Sequence, residues 1–293
     1  MDFKTEMDTL PLTAIILTYN EERNIRDCIE SVYGYVDEIY VVDSFSTDTT
    51  LSIISEYPQV KVVQHEFGNY SIQRNWAFDN LDIRNEFIFN MDADHRAMPE
   101  LLDELRTYFK KGIAANINGF MASRRTMFLG RWIKRGGHYP IYHAIIFRKG
   151  FGQCEIKNYD QHFIIKGEAI VLKNNVIDII TESLSTFTER HNKWSTLEAE
   201  EAIAYSQEMD AGRVKAEKDG NVMEYRRYQR MKYYSYPIFL RVFLYFFYRF
   251  ILKGGFREGK EGLVFHFLQG FWFRFLVDAK IWEMKKSEIK KEK

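Results

Sequence analysis

The sequence predicts an α/β protein built on a doubly wound, mostly parallel sheet, with an aromatic helical extension at its C-terminal end. Two observations carry this expectation. Up to Phe109, short apolar runs alternate with stretches of helical period, and several runs stop at a polar or acidic turn, as strands joined by crossover helices do. From Pro237 the punctuation changes to long aromatic runs with helical spacing.

Leu12 to Leu17 is the first apolar run; it ends at Thr18-Tyr19-Asn20-Glu21-Glu22, and Ile25, Ile29 and Val32 follow at helical spacing. Asn20 has an N-cap side chain, with Glu21 and Glu22 placed in the positive first turn. Ile39 to Val42 is a second strand ending at Asp43, and Ser44 to Asp48 leads into a helix carrying Leu51 and Ile54. Asp43 stands where a parallel sheet places ligand-facing groups, able to hold a ribose hydroxyl or accept from a base N–H, with a turn acid as the alternative. Val60 to Val63 is a third strand. Ser71 to Asn80 is a helix on which Arg74 either reaches a phosphate or lies on a solvated face. Phe87 to Met91 is the next strand, ending in Asp92-Ala93-Asp94. At a strand end the chain turns, so both carboxylates can face one ligand. Two hard oxygen donors suit Mg²⁺ or Mn²⁺ carrying a diphosphate, whereas one Asp alone could merely cap the helix from Pro99 to Phe109.

Beyond Gly112, Gly119–Ser123 and Ala144–Phe147 read as strands around a Gly- and Arg-rich loop, 130–140, whose Arg131, Lys134 and Arg135 could screen an anion. It contains neither a P-loop nor a dinucleotide fingerprint. Glu155, Asp160, Gln161 and His162 form the best source of a general base in the second half, with a structural histidine and a turn acid as the bland readings of His162 and Asp160. Leu184, Phe187, His191 and Trp194 share a helical face, on which His191 reads as a packed residue.

Composition narrows the class. Lys+Arg 41 against Asp+Glu 41 in 293 residues leaves formal net charge +0, which argues against a nucleic-acid partner. Cys28 and Cys154 are too few for a disulfide framework, which fits a reducing cytoplasm. Met1 to Thr9 is polar, with no apolar signal segment. The runs Ile238–Leu252 and Gly262–Val277 are each shorter than the roughly 20 residues that span a bilayer and carry arginine. They read as interfacial helices with snorkelling Arg and Lys, or as a pair packed on protein, the chain's own or a second subunit's. Arg226, Arg227, Arg230 and Lys232 would add attraction to anionic lipid.

Thr18-Tyr19-Asn20-Glu21-Glu22, Val41-Val42-Asp43-Ser44-Phe45-Ser46-Thr47-Asp48 and Met91-Asp92-Ala93-Asp94 together resemble an inverting family 2 glycosyltransferase of GT-A, Rossmann-like fold. Gln73-Arg74-Asn75-Trp76-Ala77, Gly137-His138-Tyr139-Pro140, Phe147-Arg148-Lys149-Gly150 and Arg190-His191-Asn192 are similar to the subgroup that builds lipopolysaccharide core and other bacterial surface glycans. The resemblance implies that Thr18, Asn20 and Glu21 line a nucleotide pocket, that Asp43 binds base or ribose, and that Asp92 and Asp94 are the carboxylates of a DXD motif for metal and sugar nucleotide. It implies a base after the loop region, where Gln161 replaces the expected Glu; Asp160 is then the first candidate, with Glu155 and His162 behind it. The expected division is a polar tail (1–10), a glycosyltransferase domain (11–205), a basic helical linker (206–236) and an interfacial helical extension (237–293). The implied partners are a nucleotide-sugar donor and a lipid-linked or membrane glycan acceptor, met at the cytoplasmic face of the inner membrane. A nucleotidyltransferase and a non-catalytic sugar-nucleotide-binding protein are the rival readings.

Overall fold

The structure is a computed structural model and describes residues 9–157, 160–181, 183–204 and 214–291; most of the polar tail and linker residues 206–213 fall outside it. The chain forms two compact units. One takes in the chain up to Arg124, Ile141–Cys154 and Phe163–Asp178; the other takes in Arg125–Pro140, Glu155–His162 and the chain from Ile179. The units interleave in sequence.

In chain order the elements are β1 (Leu10–Thr18), α1 (Ile25–Glu30), β2 (Val36–Asp43), α2 (Thr50–Ile54), β3 (Val60–Gln64), α3 (Tyr70–Asn80), β4 (Phe87–Asp92), β5 (His95–Ala97), α4 (Pro99–Lys111), β6 (Ile117–Phe128), β7 (Arg131–Trp132), β8 (Tyr142–Arg148), β9 (Gly152–Cys154), β10 (Phe163–Ile165) and β11 (Glu168–Thr181). The sheet of the first unit runs β3-β2-β1-β4-β8-β6-β11-β5. β3, β2, β1 and β4 are parallel neighbours, whereas β8 is antiparallel to β4 and to β6, and β5 to β11. The sheet is therefore mixed rather than mostly parallel. The reason lies in the connections: after α4 no crossover helix separates successive strands, and strands joined by loops pair antiparallel.

Both faces of β2, β1 and β4 are covered, which is why these strands read as unbroken apolar runs. Ala14, Ile16, Val41, Phe87, Phe89 and Met91 pack into one core with α1 and α4. Their sequence neighbours Ile15, Leu17, Val42 and Ile88 pack into a second core with Ala77 and Phe78 of α3. This alternation settles where Asp92 goes: one residue past Met91, its side chain leaves the strand on the α3 face.

The second unit holds α5 (Leu184–Ala204), α6 (Val222–Tyr234) and α7 (Leu240–Phe247), a π-helical turn Tyr248–Leu252, a 3₁₀ turn Gly255–Glu258, α8 (Gly259–Phe265), a π-helical stretch His266–Trp272, and α9 (Phe273–Lys291). Gly254 ends the π turn in the left-handed conformation, φ +71°, which a glycine adopts without a Cβ clash. The expected snorkelling arginines instead turn inward. Arg241 pairs with the buried Asp278 and Arg274 with Glu198, because a cation inside an apolar run is cheaper to bury against a carboxylate than alone. Arg227 and Arg230 are likewise paired within the unit, with Glu155 and with Asp160 and Glu198, so they do not serve as lipid-facing charges. A stripe of α7 and its π turn faces outward: Leu240, Phe243, Leu244, Phe247, Tyr248, Ile251 and Leu252 are exposed, as are Leu263, Phe267 and Phe275 further along. Among the described residues no helix is long and apolar enough to cross a membrane.

Candidate active site

Three adjacent strand ends build the first cluster. Thr18 of β1 lies opposite Asp43 of β2, and Leu17 opposite Asp92 of β4, so the three sequence motifs meet at one carboxyl edge of the parallel half. The loops behind β1 and β2 lock together. Asn20 N–H donates to Ser46 Oγ at 2.9 Å, Thr47 N–H to Asn20 Oδ1 at 2.7 Å, and Glu21 N–H to Thr50 Oγ1 at 2.9 Å. Asn20 is thus not the N-cap of α1, a position held by Asn24; at φ +53° it bridges two loops instead. Asp43 is fully buried, accepting from Ser46 and from Gln64 Nε2 at 3.0 Å, while Thr18 Oγ1 is buried without a hydrogen-bond partner among the described residues.

Helix α3 addresses three targets with three successive residues, since each step turns about 100°. Gln73 donates to Ser44 Oγ and to the His65 carbonyl, both at 3.1 Å. Arg74 donates through Nη2 to Asp92 Oδ1. Asn75 accepts from Cys154 N–H at 2.9 Å and donates to its carbonyl at 3.1 Å. Arg74 is buried, not on a solvated face, and its Nη1 has no hydrogen-bond partner. Burial pushes the Asp92 carboxyl upward, but Arg74, His95 and Arg124 outweigh it and hold the group at about 2. It is an anion at any working pH.

One oxygen or nitrogen each from Asp92, Asp94 and His95 lies within 4.8 Å of the others. The two kinds of group play different parts. His95 Nδ1 accepts the Asp92 backbone N–H at 3.0 Å, so the proton of the neutral ring sits on Nε2, 3.5 Å from Asp92 and 4.0 Å from Asp94. Burial, helped by Arg124, holds this imidazole down to about 3, hence neutral. A protonated Nε2 offers a metal no lone pair. The pair that fits Mg²⁺ or Mn²⁺ is therefore Asp92 and Asp94, with His95 steadying the carboxylates and the unmatched donor of Arg74 suited to a phosphate oxygen. Neither His95 nor Arg96, whose Nη1 ties the Ala93 and His95 carbonyls at 2.9 Å, was singled out from sequence; the only signal was their place directly behind the acid pair.

The second cluster lies in the second unit. Glu155 is buried and accepts from Arg227 at 2.7 and 2.8 Å, from His162 N–H at 2.8 Å and from Val214 N–H at 2.7 Å, with Lys157 Nζ at 3.2 Å. Although burial raises it, His162, Lys157 and Arg227 together hold it at about 2. With both oxygens so loaded, Glu155 is an anchor and cannot take a proton as the base suggested from sequence. Asp160 is paired with Arg230; burial raises its carboxyl, but Arg230, His162 and Lys157 carry it far below the ordinary range, which makes the first sequence candidate a weak base. His162 Nδ1 lies 3.1 Å from Glu155 Oε2. A carboxylate can only accept, so Nδ1 carries the proton and Nε2 the lone pair. Burial keeps this ring below its usual value, against the opposing pull of Asp160 and Glu155. Gln161 donates to the Lys157 carbonyl at 2.7 Å. The basic loop is tied to the helical part of its own unit: the N–H groups of Lys134 and Arg135 donate to Glu258 Oε1 at 3.1 and 2.7 Å, and Arg131 reaches Glu261 at 3.4 Å. His191, as expected, is packed: it stacks on Phe187 with centroids 3.7 Å apart and donates to the Phe187 carbonyl at 2.8 Å.

A mixed α/β sheet thus brings three strand ends together at an acid pair beside a buried arginine. Residues 13–169, just over half of the chain, match the family described as glycosyl transferase family 2, and the chain belongs to that family. It is 29% identical over 211 residues to the lipopolysaccharide core biosynthesis glycosyltransferase LpsC of Rhizobium meliloti (strain 1021), covering 66% of this chain and 72% of that protein. It is 39% identical over 105 residues to an uncharacterized glycosyltransferase of Rickettsia bellii (strain RML369-C), covering 36% of this chain and 35% of that one. Among solved structures, the mannosyltransferase PcManGT of Pyrobaculum calidifontis, in complex with GDP-Man and Mn²⁺, superposes with a TM-score of 0.53 at 14% identity, covering 95% of this chain and 90% of that one. That likeness supports the GT-A fold.

Proposed function

We propose that this glycosyltransferase is an inverting, metal-dependent enzyme that moves a sugar from a nucleotide-sugar donor to a membrane-linked glycan or lipid acceptor in bacterial surface polysaccharide or lipopolysaccharide synthesis. The observation that carries the reading is Asp92 and Asp94 at the end of β4, beside the buried Arg74; the likeness to LpsC supports the substrate class. Asp92 and Asp94 would hold Mg²⁺ or Mn²⁺, which when bound neutralises the departing diphosphate. Arg74 adds a fixed positive charge at the same place. Thr18, Asn20, Glu21 and Asp43 form the nucleotide end of the site. Inversion requires the acceptor hydroxyl to lose its proton to a base as its oxygen attacks the anomeric carbon opposite the leaving diphosphate; of the base candidates the sequence offered, His162, held in one tautomer by Glu155, has the chemistry for that step. The outward stripe of α7 and its π turn lies on the cytoplasmic face of the inner membrane, where aromatic side chains favour the interface.

Asp92→Asn with Asp94→Asn is expected to abolish sugar transfer from the donor in Mn²⁺, and full activity in that variant would overturn the assignment. Release of nucleoside diphosphate, rather than pyrophosphate from a triphosphate, separates transfer from nucleotidyl chemistry. Donor binding without hydrolysis or transfer would leave a binding protein. For the membrane, Phe243→Glu with Phe247→Glu should abolish sedimentation with anionic liposomes; unchanged sedimentation would count against the interface.

A further inference from the structure

The second unit contains a group of basic side chains that glycosyl transfer, as proposed, does not use. Arg249 leaves the π-helical turn between α7 and Gly254, a kind of turn that recurs at functional positions. Its Nε donates to the Gly136 carbonyl and its Nη1 to the Tyr245 hydroxyl; neither acceptor is charged. Its Nη2 is buried with no hydrogen-bond partner. Arg227, Arg230, Arg241 and Arg274 each reach a carboxylate, whereas among the described residues none pairs with Arg249. The Arg274 guanidinium lies 5.8 Å from the Tyr245 ring centroid. Tyr233 packs edge-on against Tyr245 at 5.4 Å, and its hydroxyl is also buried without a partner. Burial pushes the Tyr245 phenol upward, yet Arg249, Arg274 and Arg226 bring it below its ordinary value. The same three arginines with His266 act on His138, which burial already drives well below the usual histidine range.

A buried guanidinium with no carboxylate among the described residues and an orphaned donor, beside a buried phenol hydroxyl, is costly to keep unless an anion joins it. We propose that Arg249 and Arg274, with Tyr233 and Tyr245, form a binding site for a phosphate monoester. The choice of ligand follows from charge and donor geometry. A phosphate monoester brings roughly −1.5 to −2 charges and three acceptor oxygens, which suits several guanidinium forks and phenol hydroxyls better than a single carboxylate does. Because Tyr245 accepts from Arg249, its own proton is available to donate. The phosphate can come from a lipid headgroup or from a soluble phosphate. In the first case the site would hold a phosphate carried by the acceptor, a detail that rests on the proposed function.

The test is calorimetric titration of the full chain, without metal or nucleotide, using inorganic phosphate, water-soluble dihexanoyl phosphatidic acid and, as a zwitterionic control, dihexanoyl phosphatidylcholine. Saturable binding of a phosphate probe and none of the control is expected. Tighter binding of phosphatidic acid assigns the site to a lipid phosphate; equal binding assigns it to soluble phosphate. Arg249→Gln should weaken binding at least tenfold and Arg249→Lys a few-fold, the lysine lacking the fork. If Arg249→Gln does not fold, Tyr233→Phe, which removes one hydroxyl and keeps the ring, decides with an expected loss of several-fold. Absence of saturable binding in the wild type, or wild-type binding in the folded variants, overturns the proposal. So does loss of binding in an Arg74→Gln variant, which would place the phosphate at the donor site. No nucleotide sugar is used, so failure of the glycosyl-transfer reading and failure of this one are separately visible.

Discussion

Replacing His95 by phenylalanine separates a supporting residue from a metal ligand. The ring's Nδ1 satisfies the Asp92 N–H at 3.0 Å, and its Nε2–H stands 3.5 and 4.0 Å from the two carboxylates. Phenylalanine keeps most of the buried ring and removes both polar functions. The Asp92 N–H loses its acceptor, which costs about 1–3 kcal/mol, a loss of a few degrees or more in melting temperature for a chain of this size. Freed from its support, the turn 92–94 should hold Mn²⁺ about 10–100-fold less tightly, the usual effect of losing a residue that orients ligands. The assay is Mn²⁺ binding by electron paramagnetic resonance, with nucleoside diphosphate present, compared with Asp94→Asn. Wild-type affinity in His95→Phe would refute the positioning role. Loss as complete as in Asp94→Asn would show that the imidazole itself is a ligand, and the tautomer argument would then be wrong.

Glu155→Gln keeps the size of the side chain but leaves Arg227 and Lys157 without their counter-charge; a loss of about 3–5 kcal/mol in urea unfolding is expected, and a change below about 1 kcal/mol would contradict its anchoring role. Asn75→Ala deletes both hydrogen bonds to Cys154 and should cost about 1–3 kcal/mol, with faster amide exchange confined to β9 and β10 as the signature. His191 titrates at about 4, lowered mainly by burial, so the unfolded chain takes up a proton near pH 6.5 that the folded chain refuses. Stability therefore falls as pH drops from about 6.5 toward 4, by about 2 kcal/mol at pH 5 from this residue; His191→Phe should flatten that part of the melting-temperature profile, and an unaltered slope would refute the assignment.

The sequence by itself determined the parallel half of the sheet and the location of its ligand edge. Those features are local: a strand buried on both faces must be an apolar run, and the acid ending it must emerge at the carboxyl edge, so Asp43, Asp92 and Asp94 were legible as candidates. Strand β11 was missed, although Val171, Val176, Ile177, Ile179 and Ile180 carried the signal. What only the tertiary structure decided was the state of each candidate, because a side chain's charge and availability depend on partners far away in the chain. Arg74 and Asp92 are 18 residues apart, Glu155 and Arg227 are 72, and no spacing rule links either pair. Those contacts turn Glu155 into an anchor, weaken Asp160 and leave His162 with a defined tautomer. They also draw the C-terminal arginines inward, where burial makes a matched carboxylate the least costly neighbour, so that Arg249, which has none among the described residues, stands out only in three dimensions.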